Sequence, residues 1–142
     1  MDISIIIVNW NTPKLLIDCL ESIYHAEPRL TFEIIVIDNG STDDSVSLVT
    51  ARFPAVHLML NDRNLGFATA NNQGIEVAKG RYLVLLNSDT IVAPGALEEL
   101  VHVADDHPEV GAIGPKLLNM DGSLQPSWAS QNLPRRTRGR FS

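Results

Sequence analysis

Short unbroken apolar runs alternate along the chain with longer stretches in which apolar residues recur every three or four positions. The runs at 3 to 8, 33 to 37, 56 to 60, 82 to 86 and 110 to 113 have the length and the Val/Ile/Leu content of strands. Helices fill the gaps. Thr12 reads as an N-cap with Pro13 at the first helical position, opening a helix to about Ala26 with an apolar stripe of Leu16, Leu20, Ile23 and Tyr24. A second helix spans Asp43 to Phe53, a third runs from about Phe67 to Ala78 before Gly80, and a fourth starts at Pro94 and ends before Pro108. Strands covered on both faces read as continuous hydrophobic runs, so the pattern predicts an α/β fold with a mostly parallel sheet and helices on both sides.

After Val110 the character changes. Gly111, Gly114 and Pro115 lead into Lys116-Leu117-Leu118-Asn119 and the turn-like Met120-Asp121-Gly122-Ser123, which predicts a hairpin with Asp121-Gly122 at its tip. From Ala129 onward no hydrophobic periodicity remains. The expectation is one domain over residues 1–128 and a disordered or non-native basic tail over 129–142.

Composition narrows the classes. A 142-residue chain with 44% hydrophobic and 20% charged residues suits a single soluble globular domain. No apolar stretch approaches the roughly 20 residues of a membrane span, and the N-terminus lacks a basic cleavable leader, so a cytoplasmic protein is expected. The single cysteine, Cys19, excludes an internal disulfide and lies among Leu15, Leu16, Leu20 and Ile23, where it reads as core filler. The net charge of −6 conceals an asymmetry: Arg135, Arg136, Arg138 and Arg140 crowd the end, and setting those four aside takes the rest of the chain to −10. A body so acidic excludes bulk nucleic acid as a partner. The arginines either touch anionic headgroups, giving peripheral contact at the inner face of the plasma membrane, or form a solvated tail.

Chemistry gathers where strands end. Tyr82-Leu83-Val84-Leu85-Leu86 stops at Asn87-Ser88-Asp89, and Ile34-Ile35-Val36-Ile37 runs into Asp38-Asn39-Gly40-Ser41-Thr42-Asp43. In open α/β sheets ligands bind beyond the carboxyl ends of the strands, so these loops predict one shared crevice. Asp89 is the candidate ligand for Mg²⁺ or Mn²⁺, held by one carboxylate together with substrate phosphates; alternatively it caps a turn before Thr90. Asn9-Trp10-Asn11-Thr12 and the Asp38 to Asp43 loop carry amides and hydroxyls that suit a base and a ribose. Asp38 can accept from a ring nitrogen or a ribose hydroxyl, while Ser41 or Thr42 can equally cap the next helix. A third loop, Asn61-Asp62-Arg63-Asn64-Leu65-Gly66-Phe67, offers Arg63 to a diphosphate or to an ion pair with Asp62. It leads into a helix rich in amides at Asn71, Asn72 and Gln73. His25, His57, His102 and His107 have no metal-ligand spacing and read as surface or partly packed residues. The phosphate-binding glycine motifs and Gly-x-Ser-x-Gly are missing, which weighs against a dinucleotide enzyme, a P-loop nucleotidase and a serine hydrolase.

Taken in order, Val8-Asn9-Trp10-Asn11, Asp38 to Asp43, Asn64-Leu65-Gly66-Phe67, Asn87-Ser88-Asp89-Thr90 and Gly114-Pro115-Lys116-Leu117-Leu118 resemble family 2 glycosyltransferases, bacterial rhamnosyltransferase-like members above all. The resemblance covers about Ile3 to Ser127 and implies a GT-A fold, Rossmann-like, truncated at its C-terminal part. It implies a nucleoside-diphosphate sugar donor (dTDP- or UDP-linked) and a glycan or lipid-linked acceptor in polysaccharide biosynthesis. Asn87-Ser88-Asp89 matches the family's Asp-x-Asp, with Asp89 on the metal, Asn87 within reach of a ribose hydroxyl in place of the first aspartate, and Asp38 on the nucleobase. The donor set so implied is Asn9, Asn11, Asp38, Asn39, Ser41, Arg63, Asn64, Asn87 and Ser88. Inverting transfer needs a carboxylate base, which the family carries further downstream than this chain reaches; Asp121 sits in a turn and is a poor substitute. The expected protein is therefore a donor-binding portion that transfers sugar when complete. The alternative is an inactive nucleotide-binding or partner-interaction module. Apolar surface left without an acceptor half predicts a homodimer.

Overall fold

The structure, a computed structural model, describes residues 1–125. The expected basic tail at 129–142 lies outside the described residues. The chain falls into two compact units, Met1–Gly111 and a second beginning at Ala112.

The first unit alternates strand and helix: β1 (Ile3–Asn9), α1 (Pro13–His25), β2 (Phe32–Asp38), α2 (Ser45–Arg52), β3 (His57–Leu60), α3 (Phe67–Val77), β4 (Tyr82–Asn87) and α4 (Ala96–Asp106). The strands form one parallel sheet in the order β3-β2-β1-β4. The chain steps outward from β1 to β2 to β3, then crosses back to place β4 on the other side of β1. That reversal is the topological switch point, beyond which open α/β sheets bind ligands.

Residue alternation sorts the core into two layers. Ile3, Ile5 and Ile7 of β1, with Ile34 and Val36 of β2, bury themselves against Leu16, Ile17, Cys19, Leu20 and Ile23 of α1, Val49 of α2, and Leu97 and Val101 of α4. On the opposite face Ile6, Ile35 and Ile37 pack against Ala70 of α3. Helices thus cover both faces, as the unbroken apolar runs predict.

One strand departs from that rule. Tyr82, Val84 and Leu86 of β4 join the α1 layer, but Leu83 and Leu85 are 44% and 54% exposed. The reason is economy of cover: in the described residues α3 is alone on that face, and its layer closes over β1 and β2.

At the amino end of the sheet, the turn from α3 into β4 is pinned by a polar knot. The fully buried Ser4 hydroxyl donates to Glu33 Oε1 at 2.6 Å and accepts the Gly80 N–H at 2.7 Å and the Lys79 N–H at 3.1 Å. Lys79 N–H also donates to Glu33 Oε1 at 2.7 Å. Partial burial pushes the Glu33 carboxyl up, but the Ser4 and Lys79 donors outweigh it and hold the group below its ordinary range.

The expected strand at 110–113 does not form, and Val110 and Ile113 are exposed. Gly111 interrupts the run and Gly114-Pro115 follows at once, which removes both the side-chain packing and the donor a ladder needs. In the second unit β5 (Leu117–Leu118) and β6 (Leu124–Gln125) pair antiparallel. The predicted hairpin is present, with Gly122 at φ +81° in its tip. Among the described residues, no helix is long and apolar enough to cross a membrane.

Candidate nucleotide-sugar site

Ladder register sets three loops side by side. Asn9 pairs with Asp38 and Val8 with Asn87, so β1, β2 and β4 end together. With strands ~4.8 Å apart, the loops carrying Asp38 and Asp89 flank the β1 loop on one rim, about 10 Å apart.

Below that rim, the β1 and β2 loops are joined by hydrogen bonds. Asn9, fully buried, donates its amide protons to Asp38 Oδ1 at 2.9 Å and to Ser41 Oγ at 3.2 Å. Ser41 N–H donates to the other Asp38 oxygen at 2.9 Å, and Asn11 N–H to Ser41 Oγ at 2.9 Å. Asn11 stands at φ +52°, a left-handed conformation that asparagine tolerates better than most residues. Its side-chain oxygen accepts the Thr42 N–H at 2.9 Å. Ser41 and Thr42 are therefore drawn to the β1 loop. Asp43 Oδ1, accepting the Ser45 N–H at 2.9 Å, tends the start of α2 instead.

Asn39 ties the β2 loop to the β3 loop. Its Oδ1 accepts from Leu65 N–H at 3.0 Å and Asn61 Nδ2 at 3.1 Å, and its Nδ2 donates to Asn64 Oδ1 at 2.9 Å and Gly66 O at 3.4 Å. Asn61 and Gln73 exchange a reciprocal amide pair at 2.8 and 2.9 Å, which explains part of the amide content of α3. Between these loops Gly40 sits at φ +79°, and a Cβ there would lie 2.6 Å from Arg63 Cα. Glycine is needed for both the turn and the approach.

The expected site residues thus separate into two groups. Asn9 and Asn39 are at most 2% exposed with both amide protons spent within the protein, so they build the rim rather than face a ligand. Asp38 is 3% exposed and each oxygen already accepts one protein bond; a carboxylate has about four lone-pair sites, so capacity remains. Asn11, Arg63, Asn64, Asn87 and Asp89 are exposed, and Ser41 and Ser88 half-buried. Arg63 forms no ion pair among the described residues, against the expected alternative with Asp62.

Asp89 occupies a turn closed by Thr90 N–H donating to Asn87 O at 3.1 Å, and its carboxylate makes no hydrogen bond among the described residues. The expected capping role is therefore not taken up. The backbone of this turn is held from beneath by α1: Cys19 Sγ lies 3.7 Å from Asn87 O, and Ser22 Oγ accepts the Val92 N–H at 2.9 Å. Among the described residues no cluster of three or more His, Cys, Asp or Glu is arranged for a metal. A cation here would rely on Asp89 and on its ligand's phosphates, which is how Mg²⁺-type sites are commonly completed.

Cys19 behaves as core filler. Burial chiefly, and the Asp89 charge secondarily, push its thiol up to about 12. A thiol reagent at pH 8 should leave Cys19 unmodified in the folded chain and label it fully after denaturation, as a colorimetric thiol count will show. Two expectations take a different form. Thr12 stands at the N-cap of α1 but makes no side-chain cap bond; its hydroxyl donates to Asn9 Oδ1 at 2.8 Å. Sequence reasoning missed Thr12, and its place three residues after Asn9 beside Pro13 disguised it as a routine cap. Asp121 accepts the Ser123 Oγ–H at 2.6 Å and N–H at 2.9 Å, and those bonds hold its carboxyl below the ordinary range, as suits a turn residue rather than a base.

Comparison with known proteins agrees with this architecture. The chain is 32% identical over 117 residues to N-acetylglucosaminyl-diphospho-decaprenol L-rhamnosyltransferase of Mycobacterium tuberculosis, covering 75% of this chain and 38% of that protein. It is 34% identical to the succinoglycan biosynthesis protein ExoO of Rhizobium meliloti, covering 73% of this chain and 30% of the relative. The chain thus spans about a third of the length of these curated relatives. Among solved structures, the mannosyltransferase PcManGT of Pyrobaculum calidifontis, in complex with GDP-Man and Mn²⁺, superposes with a TM-score of 0.71 at 28% identity, covering 82% of this chain and 35% of that one. TarS of S. aureus shares the fold at a TM-score of 0.65 and 20% identity, over 84% of this chain and 40% of its own. The glycosyl transferase family 2 model matches residues 4–142, and the chain belongs to that family.

Proposed function

We propose that the first unit is the donor-binding part of a sugar transferase, taking a nucleoside-diphosphate sugar together with Mg²⁺ or Mn²⁺. The observation that carries this reading is the convergence of the Asp38 and Asp89 loops on one rim at the switch point, with the Asp89 carboxylate unpartnered among the described residues. Asp38, fixed in orientation by Asn9 and Ser41, receives a donor from the base or ribose. Asn11, Asn64 and Asn87 offer amides to the ribose and sugar, and Arg63 offers its charge to the diphosphate. Asp89 holds the cation, which would neutralise the diphosphate and ease its departure. Support comes from PcManGT, whose complex contains GDP-Man and Mn²⁺.

The acceptor we infer is a glycan or a lipid-linked sugar, in line with the mycobacterial relative whose name joins a decaprenol-linked sugar to rhamnosyl transfer. With such an acceptor, we infer a protein that works in the cytoplasm at the inner membrane face. Calorimetric titration with UDP-, dTDP- and GDP-sugars, with and without Mn²⁺, tests the donor reading. Binding of at least one donor that tightens with Mn²⁺ is expected; no binding of any under either condition defeats it.

A further inference from the structure

The hydrogen bonds of the rim include one continuous line that joins its two ends. Asn9 Nδ2 donates to Asp38 Oδ1 at 2.9 Å, Thr12 Oγ1 donates to Asn9 Oδ1 at 2.8 Å, and Thr12 Oγ1 lies 3.3 Å from Ser88 Oγ. Proton positions along this line follow by elimination. A carboxylate only accepts, so Asn9 must turn its amide nitrogen to Asp38 and its oxygen to Thr12. That oxygen also only accepts, so the single Thr12 proton is committed to it. The Ser88 hydroxyl must then supply the proton of the last link, which leaves only its lone pairs for the rim beside Asp89. Every donor on the line points the same way, from Ser88 toward Asp38.

We propose that Thr12 and Asn9 are positioning residues that couple the nucleotide end of the site to its cation end. The inference rests on the donor-binding reading above. A cation near Asp89 favours the Ser88 lone pairs that this arrangement presents, and so fixes the Ser88 rotor. Ser88 in turn fixes Thr12, and Thr12 holds the buried Asn9 that orients Asp38. A nucleotide seated on Asp38 stiffens the same line from its other end. Each ligand therefore meets a rim already ordered by its partner, and the coupling is reciprocal. The N-cap position of Thr12 matters here: a capping threonine would turn its oxygen toward the N–H groups of α1, whereas this one makes no cap bond and keeps its proton for Asn9.

The test uses the 142-residue chain and its Thr12→Val, Thr12→Ser, Ser88→Ala and Thr12→Val/Ser88→Ala variants, each titrated with UDP, dTDP and GDP in the presence and absence of Mn²⁺. Thr12→Val keeps the shape and removes the hydroxyl; Thr12→Ser keeps the hydroxyl. In the parent chain Mn²⁺ should tighten the nucleotide that binds, and Thr12→Val should reduce that Mn²⁺-dependent enhancement by at least about fivefold. Metal-free affinity should fall as well, because Thr12 holds Asn9 and through it Asp38, but by a smaller factor than the affinity measured with Mn²⁺. Thr12→Ser should retain the enhancement. Ser88→Ala breaks the same link from the other side, so it should lose the enhancement too, and the double variant should lose no more than either single one. Because Ser88 lies half-exposed in a turn, Ser88→Ala keeps the coupling measurable if Thr12→Val does not fold. Full Mn²⁺ enhancement in Thr12→Val or Ser88→Ala, additive losses in the double variant, or a Thr12→Ser that behaves like valine would overturn the inference alone. A parent chain that binds none of the three nucleotides under either condition would overturn the donor reading and this inference together.

Discussion

Replacing Asp89 by alanine should remove the Mn²⁺-dependent part of nucleotide-sugar binding while leaving the fold intact. The two halves of that expectation have separate grounds. The carboxylate is exposed and has no hydrogen-bond partner among the described residues, so its loss should change unfolding free energy by less than ~0.5 kcal/mol. As the one protein carboxylate proposed for the cation, it should nevertheless matter for binding: affinity with Mn²⁺ should fall at least about tenfold, or ~1.4 kcal/mol. Metal-free affinity should stay where it was or rise slightly, because one negative charge has left the diphosphate's neighbourhood. Asp106→Ala is the control for charge alone. It removes the same charge from the far end of α4, where Asp106 sits 3.6 Å from His102, and should leave the Mn²⁺ response unaltered. Titration calorimetry reads both variants, and an Asp89→Ala chain with an undiminished Mn²⁺ response would move the cation elsewhere.

Gly80→Ala should be strongly destabilising for the first unit. A Cβ at Gly80 would overlap the backbone of Ile3 and Ser4 within β1, one of the two inner strands of the parallel sheet. Backbone in a paired strand cannot step aside as a side-chain tip can, so β1 must shift or the turn must lift. Lifting the turn strips the Gly80 and Lys79 N–H groups from Ser4 Oγ and strands a fully buried hydroxyl. Overpacking of this kind costs about 1–3 kcal/mol, and a buried polar group left unsatisfied adds about 1–3 kcal/mol. We expect a loss of about 3 kcal/mol or more by urea denaturation. Gly111→Ala, where an added Cβ meets nothing within 4 Å, should be close to neutral.

The sequence already held most of the sheet. Ile3 to Val8 and Ile34 to Ile37 are runs that suit strands covered on both sides, and Thr12-Pro13 and Gly80 marked where helices begin and stop. The polar residues after each strand identified the rim, because strand ends of a parallel sheet share one side of the molecule. Depth was not legible. Asn9 and Asn39 look in sequence like any amide offered to a ligand, and only their burial and full set of bonds shows them to be framework. Thr12 was hidden for a related reason: a threonine before Pro13 fits a helix cap, and the competing acceptor on Asn9 appears only once β1 has placed it. The run at 110–113 misled because apolar content says nothing about a ladder partner. Leu83 and Leu85 misled because an edge strand can carry the composition of a central one.

Surface turns normally accept insertions and exchange, and enzymes diversify by swapping them. This rim resists such traffic. Gly40 pressed on the Arg63 backbone, Asn39 clamped on Asn61, Asn64, Leu65 and Gly66, and Asn11 holding Thr42 make its segments interlocking pieces of a single casting. On the proposed donor reading, a new donor preference would be hard to graft by transplanting one segment from a homologue. The adjoining segments would have to be replaced as a set, and the exposed tips of Arg63 and Asn87 offer the gentler route to altered selectivity.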